Sequence, residues 1–454
     1  MTAAIHSQKG AVRSHVRITD RLWLATMSVA NGLPFAVTIL LLVMFKRFGL
    51  NSSTITFNIA FVCLPWTLRP LCHLLLAKSG WNNDVWLLAT ELTSIVSLLL
   101  IAESVASTLW FQFTMLLLMI IALNAMLHSV VAESMYKEIA AGVTYTLSRP
   151  VTSVAGAARI PAGRTPWLRH GFALCHFAAA LFGIGFAAML AGNLEVVTRN
   201  VHYAWSFTFR ALAAVYTLLW LFHLVKVWCC KVSFSNAEIQ NVGSCRELGH
   251  AVRLFFGYRS VSIGALFLLL FLMPLGLTIG VGSFFVVDST HRGGLGLAPQ
   301  EYALTNGTTG IIGLAIGATA CLWLLRRYRM SRTVVPLSLS VCVPALAGAV
   351  LSRTLPVSLA ATNMWMLLSH AAIGMAFTTA VAFISYYSCG RYRPTFFSIG
   401  MALIALSLLL SGLYSGSLQR YYGYRTYFMF ALLVSLLSPV AALVLKHYCF
   451  RHTD

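Results

Sequence analysis

The sequence predicts an all-α membrane protein in which twelve transmembrane helices form two pseudo-symmetric six-helix bundles. Three observations carry that expectation. Of 454 residues, 59% are apolar and only 10% are charged, with a mean hydropathy of +0.80; soluble domains carry roughly 25% charged residues. Twelve apolar runs approach the roughly 20 residues that a bilayer core demands. A polar stretch from Cys229 to Arg253 falls between the sixth and seventh runs and divides the chain six plus six.

The runs are 22–44, 54–77, 85–103, 110–134, 168–191 and 203–227 in the first half, then 260–287, 305–328, 334–352, 358–387, 394–418 and 425–447 in the second. Each is bounded by charge, glycine or proline clusters, such as Lys46-Arg47 after the first and Gly390 to Pro394 before the eleventh. The organisation expected is a tail at 1–21, a bundle at 22–228, a linker at 229–253, a second bundle at 254–447 and a tail at 448–454. The polar, basic first 20 residues followed by a long apolar run do not suit a cleavable signal peptide.

Basic residues resist translocation and gather on the cytoplasmic side. Lys9, Arg13, Arg17, Arg69, Lys78, Arg326, Arg327 and Arg329 fall on one side, whereas Lys46, Arg47, Arg199, Arg292, Arg353, Arg420 and Arg425 fall on the other. Both termini and the central linker are therefore expected in the cytoplasm. The formal charge of +20 is scattered between apolar runs and forms no stripe, so its expected partner is membrane lipid and not nucleic acid.

The halves echo each other. Pro34 to Thr38 in the first run recurs as Pro274 to Thr278 in the seventh, and Gly49-Leu50 recurs as Gly296-Leu297. Duplicated halves joined by a cytoplasmic loop define a major-facilitator-like architecture.

Polar groups inside a bilayer cost several kcal/mol unless a cavity or partner receives them, so they are the functional candidates. Ser28, Asn31 and Thr38 share one stripe of the first helix, either lining a pathway or packing against a neighbour. Arg69 is either a gate or substrate cation or a snorkelling anchor. Arg210, at about 10 Å depth by helix rise, either suits a substrate carboxylate or phosphate or snorkels outward. Glu91 and Glu133 are the carboxylates placed for proton coupling; Glu103, Glu195 and Asp288 lie at outer ends. Asn124 and His128 share a face of the fourth helix, about 40° apart, with Glu133 about 140° away. Thr278, Asn363 and His370 complete the expected substrate-binding set, and His176 is either a ligand or a satisfied interhelical donor.

Gly412 and Gly416 read as a close-packing pair. Asn51 and Asn306 fit glycosylation sequons. The ten cysteines lack metal-ligand spacing and read as packing residues. No nucleotide, zinc-protease or catalytic-triad pattern is present, so neither a cofactor, a metal nor an enzymatic activity is expected.

The blocks Asn31 to Phe35, Gly49-Leu50 and Leu64 to Arg69, then His370 to Phe430 with Gly390 to Thr395 and Ser411 to Gln419, resemble the AmpG muropeptide permeases over about a quarter of the chain. The resemblance implies a major-facilitator permease that imports anhydromuropeptides or cell-wall amino sugars with protons across a Gram-negative inner membrane. The sequence does not fix its oligomeric state, and a monomer is the expectation. Two departures bear on that function. Ala77 and Lys78 stand where the family carries an acid and a base, and Ser129 replaces a family acid, although Glu133 and Glu138 persist. The alternatives are a permease for another organic anion, or a transport-incompetent receptor or scaffold descended from permeases.

Overall fold

The computed structural model describes residues 18–144, 179–230, 244–257, 259–388, 390 and 392–449, nearly all of them helical. α1 is Ile18–Arg47. α2 starts as Ser52–Ala60 and ends as Arg69–Ser79, bent by 51° near Leu68. Pro65 and Pro70 flank that bend, and each removes a backbone donor, so the helical ladder breaks there. α3 (Asn83–Ser104), α4 (Trp110–Thr144), α5 (Leu181–Thr198) and α6 (Val201–Cys230) complete the first half.

A helix the sequence analysis did not expect, α7 (Cys245–Gly257), lies within the supposed linker and runs past its boundary. It is amphipathic: Leu248, Ala251 and Phe255 are buried, one face at helical spacing. α8 (Arg259–Val287), α9 (Pro299–Arg327), α10 (Met330–Thr354) and α11 (Leu359–Tyr387) follow. The run Arg393–Ser435 is interrupted at Gly423, whose φ of 72° and ψ of 165° belong to no helix. The residue divides α12 (393–422) from α13 (424–449), a turn that favours glycine because other residues resist positive φ.

Among the described residues, ten stretches are long and apolar enough to cross a membrane, and the bent α2 makes eleven. One of the ten is the 57-residue stretch Arg393–Cys449, which Gly423 splits into two crossings. The chain is an integral membrane protein with the expected helix complement. An even number of crossings puts Ile18 and Cys449 on one side, called here the tail face; the other is the far face.

The sequence echo is also structural. Thr38 Oγ1 donates to the Pro34 carbonyl at 3.0 Å, and Thr278 Oγ1 donates to the Pro274 carbonyl at 3.4 Å. Proline at 34 leaves the carbonyl four residues earlier without its helical donor. Tyr216 of α6 supplies one, its hydroxyl donating to the Ala30 carbonyl at 3.2 Å.

Two seams join the halves. Along α2 and α12, Gly416 packs so closely that an added Cβ would lie 2.3 Å from Thr56 Oγ1, and Gly412 faces Ala60. The Gly416 N–H donates to Thr56 Oγ1 at 3.1 Å, and Ser53 and Ser417 share a 2.7 Å hydrogen bond. Along α5 and α9, Gly185 meets Gly307, where a Cβ would sit 2.4 Å from the opposing Cα. Both glycines fall in π-helical segments, Leu181–Phe186 and Ala303–Thr309. Small residues allow this approach, and in lipid such packing, more than hydrophobic transfer, holds helices together.

Towards the far face the halves share one core, with Leu40, Leu41 and Phe45 of α1 against Val281, Phe284 and Phe285 of α8. Towards the tail face the described residues form separate cores: Trp23, Met27, Leu76 and Met135 in the first half, Phe267, Phe271, Phe383 and Leu445 in the second. The far side is fused, whereas the tail side is joined chiefly along the α2–α12 seam and by α7.

Candidate functional site

Glu91 lies in the third turn of α3 with no solvent exposure. A lone carboxylate there would carry a desolvation cost of several kcal/mol, so its partners decide whether it is tolerated. Two imidazoles face it. His128 Nε2 of α4 lies 3.0 Å from Oε1, and His223 Nδ1 of α6 lies 2.8 and 2.9 Å from the two oxygens. Each ring is anchored on its other side to α1: His128 Nδ1 is 2.8 Å from Asn31 Oδ1, and His223 Nε2 is 2.9 Å from Thr26 Oγ1.

Counting protons shows what this chain of contacts is. Asn31 Oδ1 can only accept, so His128 donates through Nδ1. The Thr26 hydroxyl donates to the Leu22 and Trp23 carbonyls, so His223 donates to it through Nε2. A neutral imidazole has then used its single proton, and its other nitrogen presents a lone pair to Glu91. Each inner contact becomes a hydrogen bond only when a further proton occupies it, on the carboxyl or on the ring. The cluster thus has places for two protons beyond the state of two neutral rings and one carboxylate.

α6 brackets this arrangement. Besides the Tyr216 bond to α1, Trp220 Nε1 donates to the Leu88 carbonyl of α3 at 3.0 Å. His223 and Thr26 were not singled out from sequence, although an intramembrane histidine is itself the signal that could have found the first.

Among the described residues, Arg69, Arg210, Lys46 and Arg47 each pair with a carboxylate. Arg69 is only 3% exposed, which excludes a snorkelling anchor. Its guanidinium lies 2.8 Å from Glu133 of α4, between the Trp66 ring and the Phe397 ring of α12. Glu133 therefore holds the Arg69 guanidinium and stands apart from the Glu91 cluster. Arg210 is half-exposed and pairs with Glu103 at 2.8 Å. The anionic partner expected from a substrate is supplied by the protein, because the α6 position lies level with the end of α3. At the far face Lys46 of α1 pairs with Asp288, just after α8, at 2.9 Å, and the Tyr424 hydroxyl donates to the same carboxylate at 2.6 Å. Arg47 pairs with Glu195, which also accepts from Trp205 Nε1 at 2.7 Å.

Other expected residues are buried (Asn124, Thr278) or partly buried (Thr38, Asn363, His370) without being gathered into the cluster. Asn124 is 8% exposed, one turn before His128, and its Nδ2 has no partner among the described residues. On α11, His370 Nδ1 donates to the Met366 carbonyl at 2.8 Å, and Asn363 Oδ1 has no partner among the described residues. Thr38 and Thr278 spend their hydroxyl protons on their own helices. Asn306 is 6% exposed inside α9, so it is closed to glycosylation, whereas Asn51 caps α2 by accepting from the Thr54 N–H at 2.8 Å. His176 lies outside the described residues.

No family model matches the chain, and no curated protein matches it. Solved structures do. The nucleoside transporter NupG aligns with a TM-score of 0.64 at 13% identity, covering 94% of this chain and 99% of that one. A D-xylose-proton symporter gives 0.62 at 14%, covering 94% and 96%. A POT family transporter in complex with 5-aminolevulinic acid gives 0.64 at 11%, covering 96% of each. At such identity the likeness is one of fold: two pseudo-symmetric six-helix bundles in the major facilitator arrangement.

Proposed function

We propose that the chain is a secondary active transporter that moves a polar small solute by alternating access, driven by protons taken up at the Glu91 cluster. One observation carries the reading: a fully buried carboxylate between two imidazoles, linked through His128 to Asn31. Proton coupling needs a group that changes charge inside the membrane and is sensed by the solute site. A solute competing for the Asn31 carboxamide frees the His128 Nδ1–H, and the proton shared with Glu91 is redistributed. The D-xylose-proton symporter, similar in fold, is a proton symporter by name, which supports the same reading.

The solute class proposed is a muropeptide or cell-wall amino sugar, supported by the resemblance of 31–69 and 370–430 to the AmpG permeases. The tail face is assigned to the cytoplasm of a Gram-negative inner membrane on the distribution of Lys and Arg, and the working unit to a monomer. The fused far-face core and separate tail-face cores then describe a state closed outward. Pairing of Arg69 with Glu133 and of Arg210 with Glu103 weighs against an organic-anion permease.

The test is uptake of labelled anhydromuropeptide and N-acetylglucosamine by proteoliposomes holding the purified chain. Uptake of either, competed by the unlabelled compound, is expected. Equal retention in protein-free liposomes would remove the solute assignment, and absence of counterflow with any sugar would favour a receptor or scaffold.

A further inference from the structure

Asn306 belongs to no function so far assigned, and its burial closes the modification its sequence suggests. It sits in the π-helical segment Ala303–Thr309 of α9, is 6% exposed, and its Nδ2 has no partner among the described residues. A buried amide donor without a partner costs about 1–3 kcal/mol, and π-segments inside helices frequently mark functional positions. The neighbouring residue, Gly307, is the point where α9 crosses α5 of the other half, so the segment lies on the face between the bundles.

A second orphan lies opposite. α9 and α11 pack with Gly310 against the His370 ring and Gly313 against the Leu367 carbonyl. Asn306 is four residues before Gly310 and Asn363 is seven before His370, so each shares a face with its contact residue. By helix rise they stand about 6 and about 10 Å towards the far face from that contact, about 4 Å apart in height. Asn306 offers an unused donor and Asn363 Oδ1 an unused acceptor. They do not satisfy each other.

We infer that Asn306 and Asn363 form a polar subsite in the second bundle for a solute group that accepts and donates at once, a hydroxyl or a secondary amide, and that this group is uncharged. The group is taken as uncharged because two carboxamides alone do not repay desolvation of an ion. The inference rests on the transporter reading and names the part of the solute that the second half holds.

The experiment uses the purified full chain, its Asn306→Ala and Asn363→Ala variants, and two probes of one ring type, neutral N-acetylglucosamine and anionic glucuronate. Thermal unfolding in detergent is read with and without millimolar probe. Expected are a ligand-induced rise in Tm with N-acetylglucosamine only, its affinity weakened about tenfold in each variant, and variant Tm values without ligand at or above that of the wild type, because no internal hydrogen bond is lost. A lower Tm without ligand, with the N-acetylglucosamine response intact, would show a structural role and overturn the inference. So would an equal response to glucuronate, or no response of the wild type to N-acetylglucosamine. Counterflow in proteoliposomes separates the two readings. Binding without counterflow leaves the subsite standing and removes transport, whereas undiminished counterflow in both variants leaves transport standing and removes the subsite.

Discussion

At the residue scale, the Glu91 cluster makes a prediction about stability as well as function. His223→Leu leaves a buried carboxylate with one imidazole, and removal of one partner from a buried ionic pair costs about 3–5 kcal/mol. The variant is expected to unfold at lower temperature in detergent, and adding Glu91→Gln should recover much of the loss, because the uncompensated charge is gone. A double variant no more stable than His223→Leu would mean that the carboxylate is not the strained group. Sequence reading found Glu91, His128 and Asn31 separately, because each is polar within an apolar run. It did not find that they are one object. Glu91 and His223 are 132 residues apart, and only the packing of α3 against α6 brings them together. Arg210 was misread for a related reason: its depth was measured along its own helix, whereas its partner Glu103 ends another.

At the element scale, the seams depend on glycines whose neighbours differ in tolerance. A Cβ at Gly307 meets the Gly185 backbone at 2.4 Å, whereas one at Gly412 meets only the Ala60 Cβ at 3.3 Å. Gly307→Val is expected to force α5 and α9 apart, lowering Tm and abolishing transport, while Gly412→Ala should keep transport within about twofold. Equal behaviour of the two would remove the α5–α9 crossing from its place in the architecture. Hydropathy alone gave the helices nearly to their ends, since a bilayer fixes length and polarity together. The seams were legible only where spacing advertised them, as at Gly412 and Gly416; Gly185 and Gly307 carry no such pattern. α7 escaped because the stretch was weighed by polarity, although Leu248, Ala251 and Phe255 repeat with the helical period.

At the scale of the whole molecule, alternating access requires the fused far face to open. Ser53 and Ser417 lie across the α2–α12 seam, their hydroxyl oxygens 2.7 Å apart. A Ser53→Cys, Ser417→Cys pair should crosslink under oxidation and stop transport, and reductant should restore it. Unimpaired transport by the crosslinked protein would mean that this seam does not open. The orientation proposed from Lys and Arg makes its own prediction. Cys245, exposed at the start of α7, should escape an impermeant thiol reagent added to intact cells, and labelling there would invert the assignment of faces.

Coupling of solute to protons through Glu91 is tested most directly by uphill uptake under an imposed pH gradient, measured for wild type and Glu91→Gln in proteoliposomes with labelled N-acetylglucosamine or anhydromuropeptide. Wild type should concentrate the solute above its external level and lose the accumulation on adding a protonophore. Glu91→Gln should only equilibrate it, with exchange preserved, because exchange does not require the proton to cycle. Glu133→Gln should still accumulate solute, since that carboxylate belongs to Arg69. Protonophore-sensitive accumulation by Glu91→Gln at the wild-type level would contradict the account.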